Sequence, residues 1–448
     1  MAAATLAEFL TTSFKGSGLP ILPGPAKFLP ELLSGVFAVY VISAGLRRKF
    51  NTVPIKYLVM FAALTLIVLC GVLSNGVASG PILAGMRYYL RGLPFFFLPA
   101  VMDLKDWQLR RYLYFILGLS FLQVPLSMYQ RYALESTGHE TGDGVMGTTQ
   151  SSGGLTLLLI CVVCVLAAAM LRGRIGKVAF TVMFVILAIP VSINETKITA
   201  FLFPPALLAT FLIASAPGKR VRVFIAGLGL IAIGGALFVP LYNYFNELHI
   251  KKNEQFTIGQ VFTEDFLSKY LESKSQVGKA DVYQVGRVDA VVVPLRVLSA
   301  DPVKFAFGLG IGNATLSSLG PKFSGKYYQV YGPFAIGFSS GTFLLELGVF
   351  GVALILLIHC MILQDALVVA RQDAEIAGII AAGWVGTSIV IICGIFYSSI
   401  HVVEIISYCY WFFSGVVATR RTILLQEQRL QRIGLKSAHR LSAFGHHG

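Results

Sequence analysis

Apolar runs of about twenty residues recur along the chain, at roughly 28–46, 54–74, 80–102, 112–130, 154–171, 178–193, 198–216, 223–241, 335–363, 377–399 and 405–419. Short polar turns separate most of them. A run of this length crosses the ~30 Å of bilayer hydrocarbon as one helix. The strands of a membrane barrel would instead alternate over short segments, a pattern the chain lacks. The pattern therefore predicts an all-α polytopic transmembrane bundle of about eleven spans, with ten and twelve the neighbouring counts.

Three stretches fall outside the runs. Residues 1–27 are too short and mixed to span, and Leu6, Phe9, Leu10 and Phe14 predict an interfacial segment before the Gly/Pro-rich residues 16–25. A secretory signal is not expected, because residues 1–10 lack a basic start and contain Glu8. Residues 242–334 form the one long interval too polar for lipid, expected as a partly helical loop over the mouth of the bundle. The first part of the bundle is then 28–241 and the last spans 335–419. Residues 420–448 alternate apolar with basic positions and predict an amphipathic tail on the inner leaflet.

Composition agrees with the pattern. The chain is 56% hydrophobic and only 13% charged, with a mean hydropathy of +0.74, where a soluble domain carries roughly 25% charged residues. The net charge of +14 needs no nucleic acid to explain it. Arg47, Arg48 and Lys49, then Lys105, Arg110 and Arg111, Arg172, Arg174 and Lys177, Lys219, Arg220 and Arg222, and the tail from Arg420 all fall at one end of the predicted hairpins. By the positive-inside rule that end is cytoplasmic, which puts the C-terminus inside and the loops 131–153, 194–197 and 242–334 outside. All six cysteines lie in apolar runs, and the Cys161/Cys164 pair has no polar company, so no redox or metal role is expected.

Few residues carry candidate chemistry. Arg87 and Arg91 stand at i, i+4 inside the third run and share a helix face. Arginine in hydrocarbon is costly unless it meets a wet cavity or a partner. Either the two bind an anionic lipid-linked headgroup, or they pair with a carboxylate such as Glu346 or snorkel. Glu346 itself lies in the ninth run, so it is functional or a partner to an arginine. Lys197 sits in the turn Asn194-Glu195-Thr196-Lys197 and is either a binding cation or a solvated residue beside Glu195. The long interval holds Arg287, Asp289, Arg296, Asp301-Pro302, His249 and the run Gly308-Leu309-Gly310-Ile311-Gly312. Without a strand before it or a following Lys-Thr, that run does not predict a nucleotide loop. Nor do the histidines His139, His249 and His401 have the spacing of a metal set.

Taken together, these features resemble the O-antigen ligase-like superfamily, which contains polysaccharide polymerases of the Wzy type and lipopolysaccharide ligases. Thr196-Lys197 stands where the family has a Thr-x-Arg-like turn, and Arg287 with Pro302 and Gly308/Gly310/Gly312 follows the family's order in its long outward loop. Residues 344–351, Leu-Leu-Glu-Leu-Gly-Val-Phe-Gly, match its L-x-E-x-G-x-x-G segment. Gly337-Phe338-Ser339-Ser340 stands where ligases carry a histidine, which favours the polymerase branch. The resemblance covers roughly residues 80–420.

It implies glycosyl transfer on the periplasmic face of a bacterial inner membrane, without metal or other cofactor. A polyprenyl-diphosphate-linked glycan would donate to an acceptor glycan, with membrane lipid and a chain-length regulator as further partners. Arg287, Asp289 and Glu346 would be catalytic. Arg87, Arg91, Lys197, Arg296 and His249 would bind diphosphate and glycan. The alternatives are a ligase of the same superfamily, a transporter or flippase of lipid-linked glycan, and a non-catalytic accessory subunit.

Overall fold

The computed structural model describes residues 29–47, 52–102, 104–133, 145–149, 151–194, 196, 198–247, 264, 274–275, 283–317, 320–399 and 404–444. Among these the chain is helical, apart from one antiparallel pair of two-residue strands, β1 (Lys274–Ser275) and β2 (Tyr283–Gln284). Before that pair come α1 (Leu29–Arg47), α2 (Ile55–Asn75), α3 (Ser79–Leu90), α4 (Leu93–Val101), α5 (Asp106–Tyr132), α6 (Ser152–Leu171), α7 (Lys177–Ile193), α8 (Ile198–Ala214) and α9 (Arg220–Glu247). After it come α10 (Asp289–Leu298), α11 (Pro302–Phe307), α12 (Tyr328–Ile336), α13 (Ser339–Gln372), α14 (Ile376–Tyr397) and α15 (Glu404–Phe444).

A helix covers each predicted apolar run, and six helices among the described residues are long and apolar enough to cross a membrane: α1, α2, α5, α6, α13 and α14. Their surroundings sort them. In the apolar windows of α6 and α14, 72% and 78% of residues are buried, against 22% in α1, α2 and α5. Helix α14 packs against α6, α8 and α13, which makes it the centre of the bundle. The outer helices bury one side only and turn apolar side chains outward. Val178 (79%), Leu73 (78%) and Ile55 (74%) are largely exposed, and so extensive an apolar surface requires lipid rather than water. The chain is a membrane protein.

Two expectations are corrected. The third run is two helices, because Gly92 and Pro94 sit at the start of α4 and the Pro94 nitrogen cannot bond back into α3. The tail from Arg420 is no separate element: α15 runs unbroken from the last apolar run to Phe444, since no proline near Arg420 stops it. Helix α9 carries on to Glu247, and the stretch from 285 holds α10, α11 and α12.

At the arginine-rich end, two buried aspartates tie the helices together. Asp365 of α13 accepts from Lys56 Nζ (2.6 Å) and Tyr57 Oη (2.8 Å) at the start of α2. Asp373, in the α13–α14 turn, accepts from Arg420 of α15 and from the Glu375 N–H (2.7 Å). Arg172, just past α6, donates to the Asp373 carbonyl (2.7 Å) and to that of Ala370. Burial there pulls the Arg172 guanidinium down from its usual value, and Asp373 opposes the shift. Asp373→Ala removes the buried carboxylate partner of Arg420 and leaves it only the longer pair with Glu427 (3.5 Å). Because Arg420 is partly exposed, the loss should sit at about 2–3 kcal/mol, at or below the lower edge of the buried-pair range. Thermal unfolding in detergent checks this, and an unchanged midpoint would refute the clamp.

Candidate functional site

Two groups of polar residues lie at the end of the bundle opposite those clamps. The first begins with a break in α13. Gly348 has φ +68°, ψ −171°, which interrupts the helix within one continuous element. The interruption frees the carbonyls of Leu345 and Glu346 for other donors. Leu309 N–H donates to Leu345 O (2.7 Å) and Gly310 N–H to Glu346 O (3.1 Å), so the glycine-rich run is laid into the gap in the helix.

The glycines are there because backbone meets backbone on three sides. Gly308, Gly310 and Gly312 all have positive φ (72°, 86° and 72°), a region that costs other residues about 1–3 kcal/mol each. A Cβ on Gly308 would come within 2.6 Å of Gly348 N, one on Gly85 of α3 within 2.7 Å of Gly312 N, and one on Gly71 of α2 within 2.6 Å of Phe307 O. A Cβ on Gly312 would fall on the Pro81 carbonyl oxygen. Asn75 Nδ2 adds a bond to Gly308 O (3.0 Å).

Glu346 holds the far side of this run. Its Oε1 accepts from Thr315 Oγ1 (2.9 Å) and Ala314 N–H (3.3 Å), with the Gly312 N–H also directed at the carboxylate. Its Oε2 accepts from Tyr89 Oη of α3 (3.0 Å). The Gly312 and Ala314 N–H groups thus converge on one carboxyl, while the Asn313 N–H between them donates to Gly310 O (3.2 Å). That carboxyl belongs to a side chain only 1% exposed. The expected pairing of Arg87 or Arg91 with Glu346 is not what these bonds describe. Arg87 makes its ion pair with Glu31 of α1. Arg91 is 4% exposed, with its guanidinium 5.8 Å from the Tyr408 ring and 5.9 Å from Tyr88.

The second group surrounds Arg287, just before α10. Its guanidinium lies 4.6 Å from the Tyr397 ring at the end of α14 and 5.7 Å from Phe338 at the start of α13. Ser339 N–H and Oγ both donate to Ser398 O (3.1 and 3.0 Å), closing the gap between those helix ends. Ser398 in turn borders Gly153 at the start of α6. Beside it, Asn194 at the end of α7 donates to Ser152 O (3.0 Å) and Thr156 Oγ1 (2.9 Å). Four helix ends thus meet beneath one half-buried arginine. Asp289 lies two residues on, in the first turn of α10, and Arg296 is exposed about two turns further along it. Lys197 and His249 lie outside the described residues.

Sequence reading missed a buried polar stripe on α5. Ser120, Gln123, Ser127, Gln130 and Arg131 of α5 are all buried. Gln130 Oε1 accepts from the Gly147 and Met146 N–H groups (2.7 and 3.1 Å), and its Nε2 donates to Gly147 O (2.9 Å). Gln123 accepts from Thr148 N–H (2.8 Å) and donates to Thr148 Oγ1 (3.0 Å). These bonds draw residues 146–148 into the bundle, leading straight to the Ser151 cap of α6, whose Oγ accepts from Gly154 N–H. The signal was present: polar residues at 120, 123, 127 and 130 keep helical spacing within an apolar run.

Chemically, the Arg287 group offers a fixed cation walled by two aromatic rings, with hydroxyl and amide groups around it. A guanidinium so placed can grip phosphate oxygens in a fork. Among the described residues no three His, Cys, Asp or Glu side chains converge as a metal set would. Comparison with protein-family models finds no match, and comparison with curated proteins finds no relative either.

Two glycine substitutions separate the effects at the break. Gly76, the positive-φ cap of α2, has open space around a Cβ, so Gly76→Ala should cost only about 1–2 kcal/mol. Gly312→Ala adds a collision with Pro81 to the same backbone cost, and should lose more than about 3 kcal/mol. Chemical or thermal unfolding of the two variants in detergent reads the difference. Equal losses would refute the close docking of the glycine run on α3.

Proposed function

We propose that the chain is a glycosyltransferase of the Wzy polymerase type. It would lengthen a glycan carried on polyprenyl diphosphate at the outer face of a bacterial inner membrane. In this reading about eleven spans cross the bilayer, the C-terminus is cytoplasmic, and the segment 242–334 lies in the periplasm. The observation that carries the proposal is Arg287, held over Tyr397 and Phe338 where α6, α7, α13 and α14 end, at the pole opposite the arginine-rich helix termini.

The step this site would support is simple to balance. An acceptor hydroxyl oxygen attacks the anomeric carbon, the bond from that carbon to the phosphate oxygen breaks, and polyprenyl diphosphate leaves with the electron pair. Negative charge grows on the leaving diphosphate, and Arg287 would stabilise it without a metal. The hydroxyl proton passes to a carboxylate, and Asp289, two residues from Arg287, is our assignment for that base. Arg296, Lys197 and His249 would contact the glycan or the diphosphate. Glu346 we assign to positioning: its oxygens already accept from Thr315, Ala314 and Tyr89, so it fixes the glycine run that follows α11. Arg87 and Arg91, at the end of α3, would bind the diphosphate or glycan.

The rival readings meet particular obstacles. A transporter would use a broken helix as a midplane substrate site, but the break at Gly348 is filled by the chain's own backbone. A ligase would place a histidine near Phe338, where this chain has an aromatic wall for Arg287. Purified protein given a polyprenyl-diphosphate-linked glycan should lengthen the glycan and release polyprenyl diphosphate. Arg287→Ala should slow that by about 10²–10³-fold, as for loss of one charge-stabilising donor, with Arg287→Lys retaining part of the rate. Normal product length from Arg287→Ala would refute the assignment, and glycan crossing sealed vesicles unlengthened would favour the transporter.

A further inference from the structure

A cleft of about 210 Å³ lies at the arginine-rich end, between α5, α6, α14 and α15. Its walls are apolar, formed by residues such as Leu117, Leu158, Val165, Ala169, Trp384 and Phe413, with Arg110 and Arg174 also lining it. Along α6 the lining runs from Leu158 to Ala169, which at 1.5 Å per residue is roughly 16 Å, parallel to the helix axis. The volume exceeds the roughly 150 Å³ apolar cavity that admits benzene. The cleft is therefore elongated, unsuited to water and large enough for a hydrocarbon chain.

The rim places it at headgroup level. Trp107, in the first turn of α5, is 51% exposed and lies 4.6 Å beneath the Arg111 guanidinium, the position favoured by interfacial tryptophan. Arg110 follows Trp107 by three residues, and Tyr114, another lining residue, is 70% exposed. The charged side chains that line the cleft are Arg110 and Arg174, with Glu375 the acid beside Arg174. Glu375 stands 3.7 Å from Arg174, both side chains being half-exposed, a weak surface pair. The mouth is net positive.

We propose that this cleft holds one acyl chain of an anionic phospholipid, with the phosphate between Arg110 and Arg174. Charge complementarity selects the occupant: a guanidinium pair above a hydrocarbon slot fits a phosphodiester with a tail, and a zwitterionic headgroup is attracted less. The inference stands apart from the glycosyl-transfer reading, because it concerns the opposite end of the bundle. It also holds whichever leaflet that end faces.

Trp384 supplies the probe. It lines the cleft, is 4% exposed, and donates to Ser414 Oγ (2.9 Å). The chain has three tryptophans, so Trp107→Phe with Trp411→Phe leaves Trp384 as the sole indole in an otherwise full-length protein. In phosphatidylcholine vesicles, a small fixed fraction of chain-brominated phosphatidylglycerol should quench Trp384 at least about two-fold more than the same fraction of brominated phosphatidylcholine. Arg110→Gln with Arg174→Gln should erase that preference. Ala169→Phe, which fills the slot and leaves both arginines, should lower quenching by both lipids. Equal quenching by the two lipids in the parent overturns the proposal. So does a preference that survives the glutamine pair, or full quenching in Ala169→Phe.

Discussion

A helix inside a membrane cannot be broken without giving its backbone groups new partners, because hydrocarbon offers none and each unsatisfied group costs several kcal/mol. Much of this fold follows from how that demand is met at Gly348. The Leu345 and Glu346 carbonyls receive N–H donors from Leu309 and Gly310, so the stretch after α11 is anchored within the bundle and not laid over it. Glycine on both partners makes this possible: Gly308, Gly310 and Gly312 on the run, Gly71 on α2, Gly85 on α3 and Gly348 on α13. The carboxylate of Glu346 then occupies the concavity the run creates. A buried carboxylate in a membrane helix, expensive by itself, is satisfied by donors from α3 and from the segment it holds.

This anchoring fixes the described part of the interval that carries α10, α11 and α12. Helix α10 packs on α13, and Ala290 is fully buried at its start, so Arg287 is positioned by the same helix that Gly348 interrupts. The clamps at Asp365 and Asp373 secure the opposite end. Between them, α6 and α14 are enclosed by protein, while the outer helices present apolar side chains outward. The proposed glycosyl transfer uses one pole and the proposed phospholipid site the other, so the two readings rest on separate sets of residues.

How much was legible in the sequence depends on whether the signal was local. Apolar runs of spanning length gave α1, α2, α6, α7, α8 and α14 to within a few residues, because in lipid every such run must satisfy its own backbone, while α13 and α15 continue well past theirs. The split at Gly92-Leu93-Pro94 is legible too, from proline chemistry. The roles of the glycine run and Glu346 were not legible, since each is defined by a partner more than thirty residues away, Ala314 to Glu346 for one. Glu31 as the partner of Arg87 is likewise a long-range fact. The polar stripe of α5 lies between these cases. Its spacing was on the page, but Gln123 and Gln130 acquire meaning only once residues 146–148 fold back onto them.

The proposed chemistry stands on one arginine gripping a lipid-borne diphosphate at the pole where four helix ends meet. The most direct measurement is a cryo-electron microscopy map of the protein with polyprenyl diphosphate in a lipid nanodisc. The account predicts diphosphate density within hydrogen-bonding reach of the Arg287 guanidinium, beside Tyr397 and Phe338. Diphosphate bound elsewhere, with Arg287 out of its reach, would contradict it.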